Sequence, residues 1–101
     1  MKTIPQHKAL QQIPGVGKSI SKDLQDIGIH SVEDLKGRDP DDIYHQSNMY
    51  AGQVQDRCLL YVFRCAVYYA ETETGKRDPE KLKWWNWKDS LMVKKENLQQ
   101  K

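Results

Sequence analysis

Apolar residues recur along this chain at spacings of three and four, and no run alternates with the two-residue period of a strand. Residues 6–12 read as a short first helix with Ala9 and Leu10 inward. After a glycine turn, Ile20, Leu24 and Ile27 mark a second helix, and Gly28 stands where a helix stop is expected. "SVEDL" opens a third, with Ser31 as N-cap, Asp34 completing a near capping box, and Val32 and Leu35 inward. "RDPDDIY" opens a fourth: Asp39 as N-cap, Pro40 at the first helical position, then two acids that the helix dipole favours. "RDPEKLKW" repeats the device at Asp78 and Pro79.

The longest helix is expected at about 53–73, within "VQDRCLLYVFRCAVYYAETET", residues 54–74. Val54, Cys58, Tyr61, Cys65 and Tyr68 form one stripe, and Leu59, Val62, Phe63, Ala66 and Tyr69 fill most of the remaining circumference. Between Cys58 and Ala70 the only charge is Arg64. A helix apolar all round is a buried central element, or one side of it serves an interface. A Trp-rich segment follows at about 78–91, and residues 92–101 read as a polar, frayed tail. The expectation is one all-α domain spanning 1–101, a compact bundle of five or six helices.

Composition narrows the classes. At 101 residues with 30% charged and 38% hydrophobic, the chain suits a small soluble globule. No apolar run reaches the ~20 residues that span a bilayer, and "MKTIPQHKALQQ" lacks the apolar stretch of a secretory signal. The expected location is therefore the cytoplasm, without membrane contact. Net charge is only +2, yet residues 51–101 carry ten Lys/Arg against seven Asp/Glu, mostly from Lys76 onward. Attraction to phosphate would be local and modest.

Cys58 and Cys65 are seven residues apart on one helix, hence ~10 Å between Cα atoms, too far for a disulfide. They are expected as reduced core thiols. His7, His30 and His45 show no metal-ligand spacing, so no metal is expected. The acids Glu33, Asp34, Asp39, Asp41 and Asp42 are accounted for by capping. No Ser/His/Asp or Cys/His arrangement is legible. The expectation is no enzyme, no catalytic residue and no cofactor.

The chemistry that stands out is "IPGVGKSISKDL", residues 13–24. Gly15 can take positive φ at no steric cost, and Val16 can plug the space between two helices. Gly17 opens a helix whose first N–H groups lack intrahelical partners. With no side chain at 17, a phosphate can reach the amides of about Gly15, Gly17 and Lys18. The helix dipole and the Lys18 ammonium favour the anion, and Ser19 and Lys22 are within reach of the adjacent phosphate. The plainer alternative is a turn that only packs two helices.

"IPGVGKSISKDLQDIGIHSVEDL", taken over about 7–47, resembles the helix-hairpin-helix motif of DNA-repair and recombination proteins. That resemblance implies weak, sequence-independent binding of backbone phosphate, with a possible monovalent cation at the carbonyls of Ile13 and Val16. Such hairpins often come in pseudo-twofold pairs. A shift of 35 residues lays Gly52 on Gly17 and Ala51 on Val16, which makes "NMYAGQ" a degenerate second hairpin.

"DRCLLYVFRCAVYYA" followed by "LKWWNWKD" resembles the small bacterial family labelled pathogenicity-locus or mitomycin-resistance-like helix-hairpin-helix proteins. With the first motif, this resemblance covers nearly residues 8–90. It implies the fold, and a DNA-repair or stress-resistance context. Trp84, Trp85 and Trp87 lie among Lys81, Lys83 and Lys88. At i, i+1 and i+3 they cannot share one helical face, so at least one is partly exposed. They can stack on bases, contact a partner or cap the core. Two functions follow as expectations: a DNA-binding module gripping phosphate through residues 13–19, or a protein adaptor or homodimer using the apolar helix 58–70 and the Trp segment.

Overall fold

The structure is a computed structural model that describes residues 10–90. Ala9, the start of the expected first helix and the expected tail lie outside these residues. Within them the chain is all-helical, with three α-helices and no strand: α1 (Lys18–Asp26), α2 (Pro40–Ala51) and α3 (Arg57–Glu71). Three short 3₁₀ turns complete it, at Glu33–Leu35, Pro79–Leu82 and Trp84–Trp87. Leu10 and Gln11 are helical and lead into the glycine turn.

Among the described residues three α-helices stand where five or six helices are expected over the whole chain. "SVEDL" is too short to propagate and closes only one 3₁₀ turn. Ser31 Oγ does accept the Asp34 amide at 3.4 Å, but the Asp34 carboxylate accepts from His30 N at 3.0 Å rather than completing the box at Ser31. The Trp segment likewise forms two 3₁₀ turns, the first capped by Asp78 through the Glu80 amide at 2.9 Å.

The remaining boundaries follow local chemistry. α1 ends in a Schellman motif: Ile29 N–H bonds Leu24 O at 2.9 Å, Gly28 N–H bonds Gln25 O at 3.0 Å, and Leu24 and Ile29 are both fully buried. Asp39 caps α2 by accepting from Asp41 N at 3.0 Å, with Pro40 at the first position. Of the other acids expected in capping roles, Asp41 and Asp42 lie in the first turn of α2, while Glu33 pairs with Lys36 at 3.0 Å. Asp56 caps α3 through the Cys58 amide at 2.8 Å. The central helix therefore starts later than expected at 53, and Val54 stands outside it, 81% exposed.

α3 is the central element. Leu60, Phe63, Cys65 and Ala66 are fully buried, and Phe63 is the largest fully buried side chain among the described residues. Leu60, Phe63 and Ala66 pack with Leu10, Ile13, Val16, Leu24, Leu35 and Ile43. Cys58 departs from the expectation of a core thiol: its position in the first turn of α3 leaves it exposed. Both thiols are free, and burial pushes that of Cys65 up to about 11.

The link from α2 to α3 is held by Gln55. Its amide donates to Asn48 Oδ1 at 2.9 Å, its side chain donates to Ser47 Oγ at 2.9 Å, and its carbonyl accepts from the Tyr44 hydroxyl. Gly52 is left-handed (φ 76°) and terminates α2, whereas Gly17 is extended (φ −96°, ψ −165°) and begins α1. Overlaying Gly52 on Gly17 therefore fails, because one glycine ends a helix and the other starts one.

At the first turn Gly15 has φ 87°, and a Cβ there would stand 3.0 Å from Trp84 Cδ1. Gly17 has ordinary φ and open space where its Cβ would be. Gly15→Ala should therefore cost about 1–2 kcal/mol or more, from the left-handed backbone and the displaced indole. Gly17→Ala should cost only about 0.5 kcal/mol, the N-cap preference for glycine over alanine. Denaturant unfolding of the two variants checks this. Equal losses would show that the two glycines do the same work.

Candidate functional site

The turn between Leu10–Gln11 and α1 is built on few bonds. Ile13 N–H donates to Leu10 O at 3.1 Å and Val16 N–H to Ile13 O at 3.0 Å. Val16 is 4% exposed and fills the space beneath the turn. The Ile13 carbonyl, one of the two suggested for a monovalent cation, thus already accepts one hydrogen bond inside the turn.

Gly17 follows as the N-cap of α1 and offers no capping side chain. α2, α3 and the 3₁₀ turn at Pro79 each begin with an aspartate whose carboxylate takes an orphan amide. At α1 the first backbone bond closes only at Ser21 N to Gly17 O, 2.9 Å. Among the described residues no side chain caps the amides of Lys18, Ser19 and Ile20 at this helix start.

Gly15, Gly17, Lys18, Ser19 and Lys22 are all exposed. Lys18, Ser19, Lys22 and Gln25 line one surface depression. Lys22 is not a free cation, however. Its Nζ lies 3.0 Å from Asp26 Oδ2, and that hydrogen bond holds the ammonium above the ordinary lysine range. Lys18 is left as the cation adjacent to the open amides. One turn on, Asp23 is partly desolvated, which raises its carboxyl above the usual value.

The Trp segment reaches this turn. Trp84 packs against Gly15 and is partly buried on the core, while Trp85 meets it edge-on at 5.7 Å between ring centres and remains 47% exposed. Trp87 donates Nε1–H to Lys81 O at 2.8 Å and lies 5.7 Å from the Tyr68 ring. The three rings thus divide their work: Trp84 and Trp87 are packed, and Trp85 faces outward. Lys83 pairs with Glu80 at 3.0 Å, and Lys88 lies within electrostatic reach of Cys58.

An ion cluster that spacing did not reveal fixes the segment in place. Asp89 takes Arg57 Nη2 at 2.7 Å, Arg64 Nη2 at 3.0 Å and the Tyr61 hydroxyl at 3.1 Å. Arg64 also donates to Trp87 O at 2.8 Å. The one sequence signal was Arg64, a lone charge on an apolar helix. Partial desolvation pushes the Asp89 carboxyl upward, but the hydrogen bonds from Arg57, Arg64 and Tyr61 outweigh it and hold it below its usual value.

A carboxyl lowered on folding contributes stability above its unfolded pKa, near ~3.9, and loses it as pH falls through the folded value. Asp89→Asn should therefore lower the melting temperature at pH 7. The gap from wild type should narrow as pH falls below about 4 and close only once pH has passed the lowered folded value, where the native carboxyl is neutral as well. Melting curves over that range check it. A gap independent of pH would show that Asp89 acts through packing alone.

No helix among the described residues is long and apolar enough to cross a membrane. Comparison with known proteins then places the chain. The family model described as Cdd1, pathogenicity locus, matches residues 3–92. The chain is 31% identical over 78 residues to the mitomycin resistance protein McrB of Streptomyces lavendulae, covering 77% of this chain and 69% of that protein. No solved structure matches. With the match running through the glycine turn, α3 and the Trp segment alike, the chain belongs to the Cdd1 pathogenicity-locus family.

Proposed function

We propose that the protein is a non-enzymatic DNA-binding module that grips backbone phosphate through residues 13–19 without reading bases. The turn with α1 is read as a helix-hairpin-helix unit. The observation that carries this reading is the uncapped start of α1, where glycine stands in the place that aspartate takes in α2 and α3. A phosphate oxygen can accept from the amides of Lys18 and Ser19, with the Lys18 ammonium and the helix dipole adding attraction. Contacts to so few phosphates give weak, salt-dependent binding. The resistance named for the Streptomyces relative fits a DNA-protective setting, and enters here only as part of the proposal.

Gly17→Asp separates stability from binding. Its carboxylate would cap α1 as Asp39 caps α2, raising stability by a few tenths of a kcal/mol. The same carboxylate occupies the anion's place, so DNA affinity should fall about tenfold or more. Lys18→Glu should weaken binding and flatten the salt dependence, whereas Asp26→Asn, which releases Lys22, should strengthen it. Fluorescence anisotropy with duplex and single-stranded DNA at two salt concentrations reads all three. Unchanged affinity in Gly17→Asp overturns the proposal.

A protein-partner reading has its own observation. The large apolar residues of 58–70 are buried or half-buried, whereas Met49, Tyr50 and Val54 are 69%, 64% and 81% exposed around the link from α2 to α3. An adaptor or homodimer contact would use that patch with Trp85, more than the helix 58–70. Sedimentation of wild type and Met49→Glu at rising concentration tests the homodimer. A monomer in both removes it.

A further inference from the structure

The glycine turn has few bonds of its own to hold it. Val16 N–H reaches Ile13 O at 3.0 Å, and the next amide to close a backbone bond among the described residues is Ser21, to Gly17 O at 2.9 Å. A segment with so few backbone bonds keeps one geometry only where packing imposes it. Beneath the turn that packing is Val16, 4% exposed. Beside Gly15 it is a single ring. The three atoms nearest to where a Cβ at 15 would stand, at 3.0 to 3.7 Å, all belong to Trp84. The rest of that side is open, because Gly15 and Trp84 line a cleft of about 300 Å³ with Ile20, Cys58, Leu59 and Val62.

The ring itself is well anchored. Trp84 is partly buried on the core, and its segment is tied to α3 where Arg64 donates to Trp87 O at 2.8 Å and joins Arg57 on Asp89. We infer that Trp84 is a positioning residue for the anion site. Its indole holds Gly15 in the left-handed geometry, φ 87°, that sets where the amides of Lys18 and Ser19 point. DNA binding at the start of α1 then requires the Trp segment, although the phosphate touches only the turn. This rests on the phosphate reading above and extends it to the tertiary contact behind the turn. Without the ring, glycine at 15 samples negative φ about as readily as positive φ. Affinity then falls by the fraction of time the turn spends in its binding-competent form.

Trp84→Ala removes the ring without changing net charge. Its affinity for a short duplex, read by fluorescence anisotropy well below the melting temperature, should fall about tenfold, the effect of a competent turn populated about a tenth of the time. The slope of affinity against salt should stay as in wild type, because no phosphate contact is deleted. In the free protein, amide relaxation and dispersion NMR should report added motion at Gly15, Gly17, Lys18 and Ser19, and none in α2. Trp84→Leu keeps apolar cover on the core but has no ring to lie on Gly15. It should show the same pattern, and it stands in where Trp84→Ala fails to fold. Trp84→Phe, which keeps a ring, should recover most of the affinity and quiet the added motion. Affinity lost without added motion at the turn would show that Trp84 touches the DNA itself, and overturns the inference. Wild-type affinity in the variants that lack the ring overturns it too and leaves the phosphate reading standing. If the wild type binds no duplex, both fall together.

Discussion

Trp84 packs onto the backbone of Gly15, and the arrangement of the molecule around its first turn depends on that contact. Any side chain at 15 would collide with the indole, and any other residue would resist φ 87°. One glycine therefore sets two things at once. It bends the chain so that α1 starts at the surface with Val16 buried beneath, and it seats the Trp segment beside that start. The Arg57–Arg64–Asp89 cluster then holds the same segment against α3. Turn, central helix and Trp segment form one unit, in keeping with a family match that spans all three.

Much of the fold was legible because its signals are local. The Asp-Pro pairs at 39–40 and 78–79 start helical turns as capping chemistry dictates. Gly28 sits inside a Schellman motif, and the apolar run after Asp56 became the buried central helix. The failures also have physical causes. "SVEDL" carries cap residues but lacks the length to propagate, so it stays one 3₁₀ turn. Cys58 shares a helical stripe with Cys65, yet it lies in the first turn of α3, beyond the neighbours that cover the later turns. Gly52 matches a glycine in spacing but not in conformation.

The candidate site divides in the same way. The sequence named the residues of the turn, and the structure exposes Gly15, Gly17, Lys18 and Ser19 together on one edge. The sequence did not show that Lys22 is neutralised by Asp26 one turn later, although the spacing of four allowed it. Asp89 joins Arg57 across 32 residues, and no periodicity encodes that pairing. Nor did spacing show that Trp84 touches Gly15. Local rules predict which groups are offered, and only tertiary packing decides which of them remain free.

What remains free at the start of α1 is a set of amides, and they can be observed directly. In an amide-resolved NMR titration with a short oligonucleotide at low salt, the account predicts the largest shifts at Gly15, Gly17, Lys18, Ser19 and Ile20. Those shifts should shrink as salt is added. Shifts centred instead on Met49–Val54, or none at the start of α1 while DNA is bound, would contradict it.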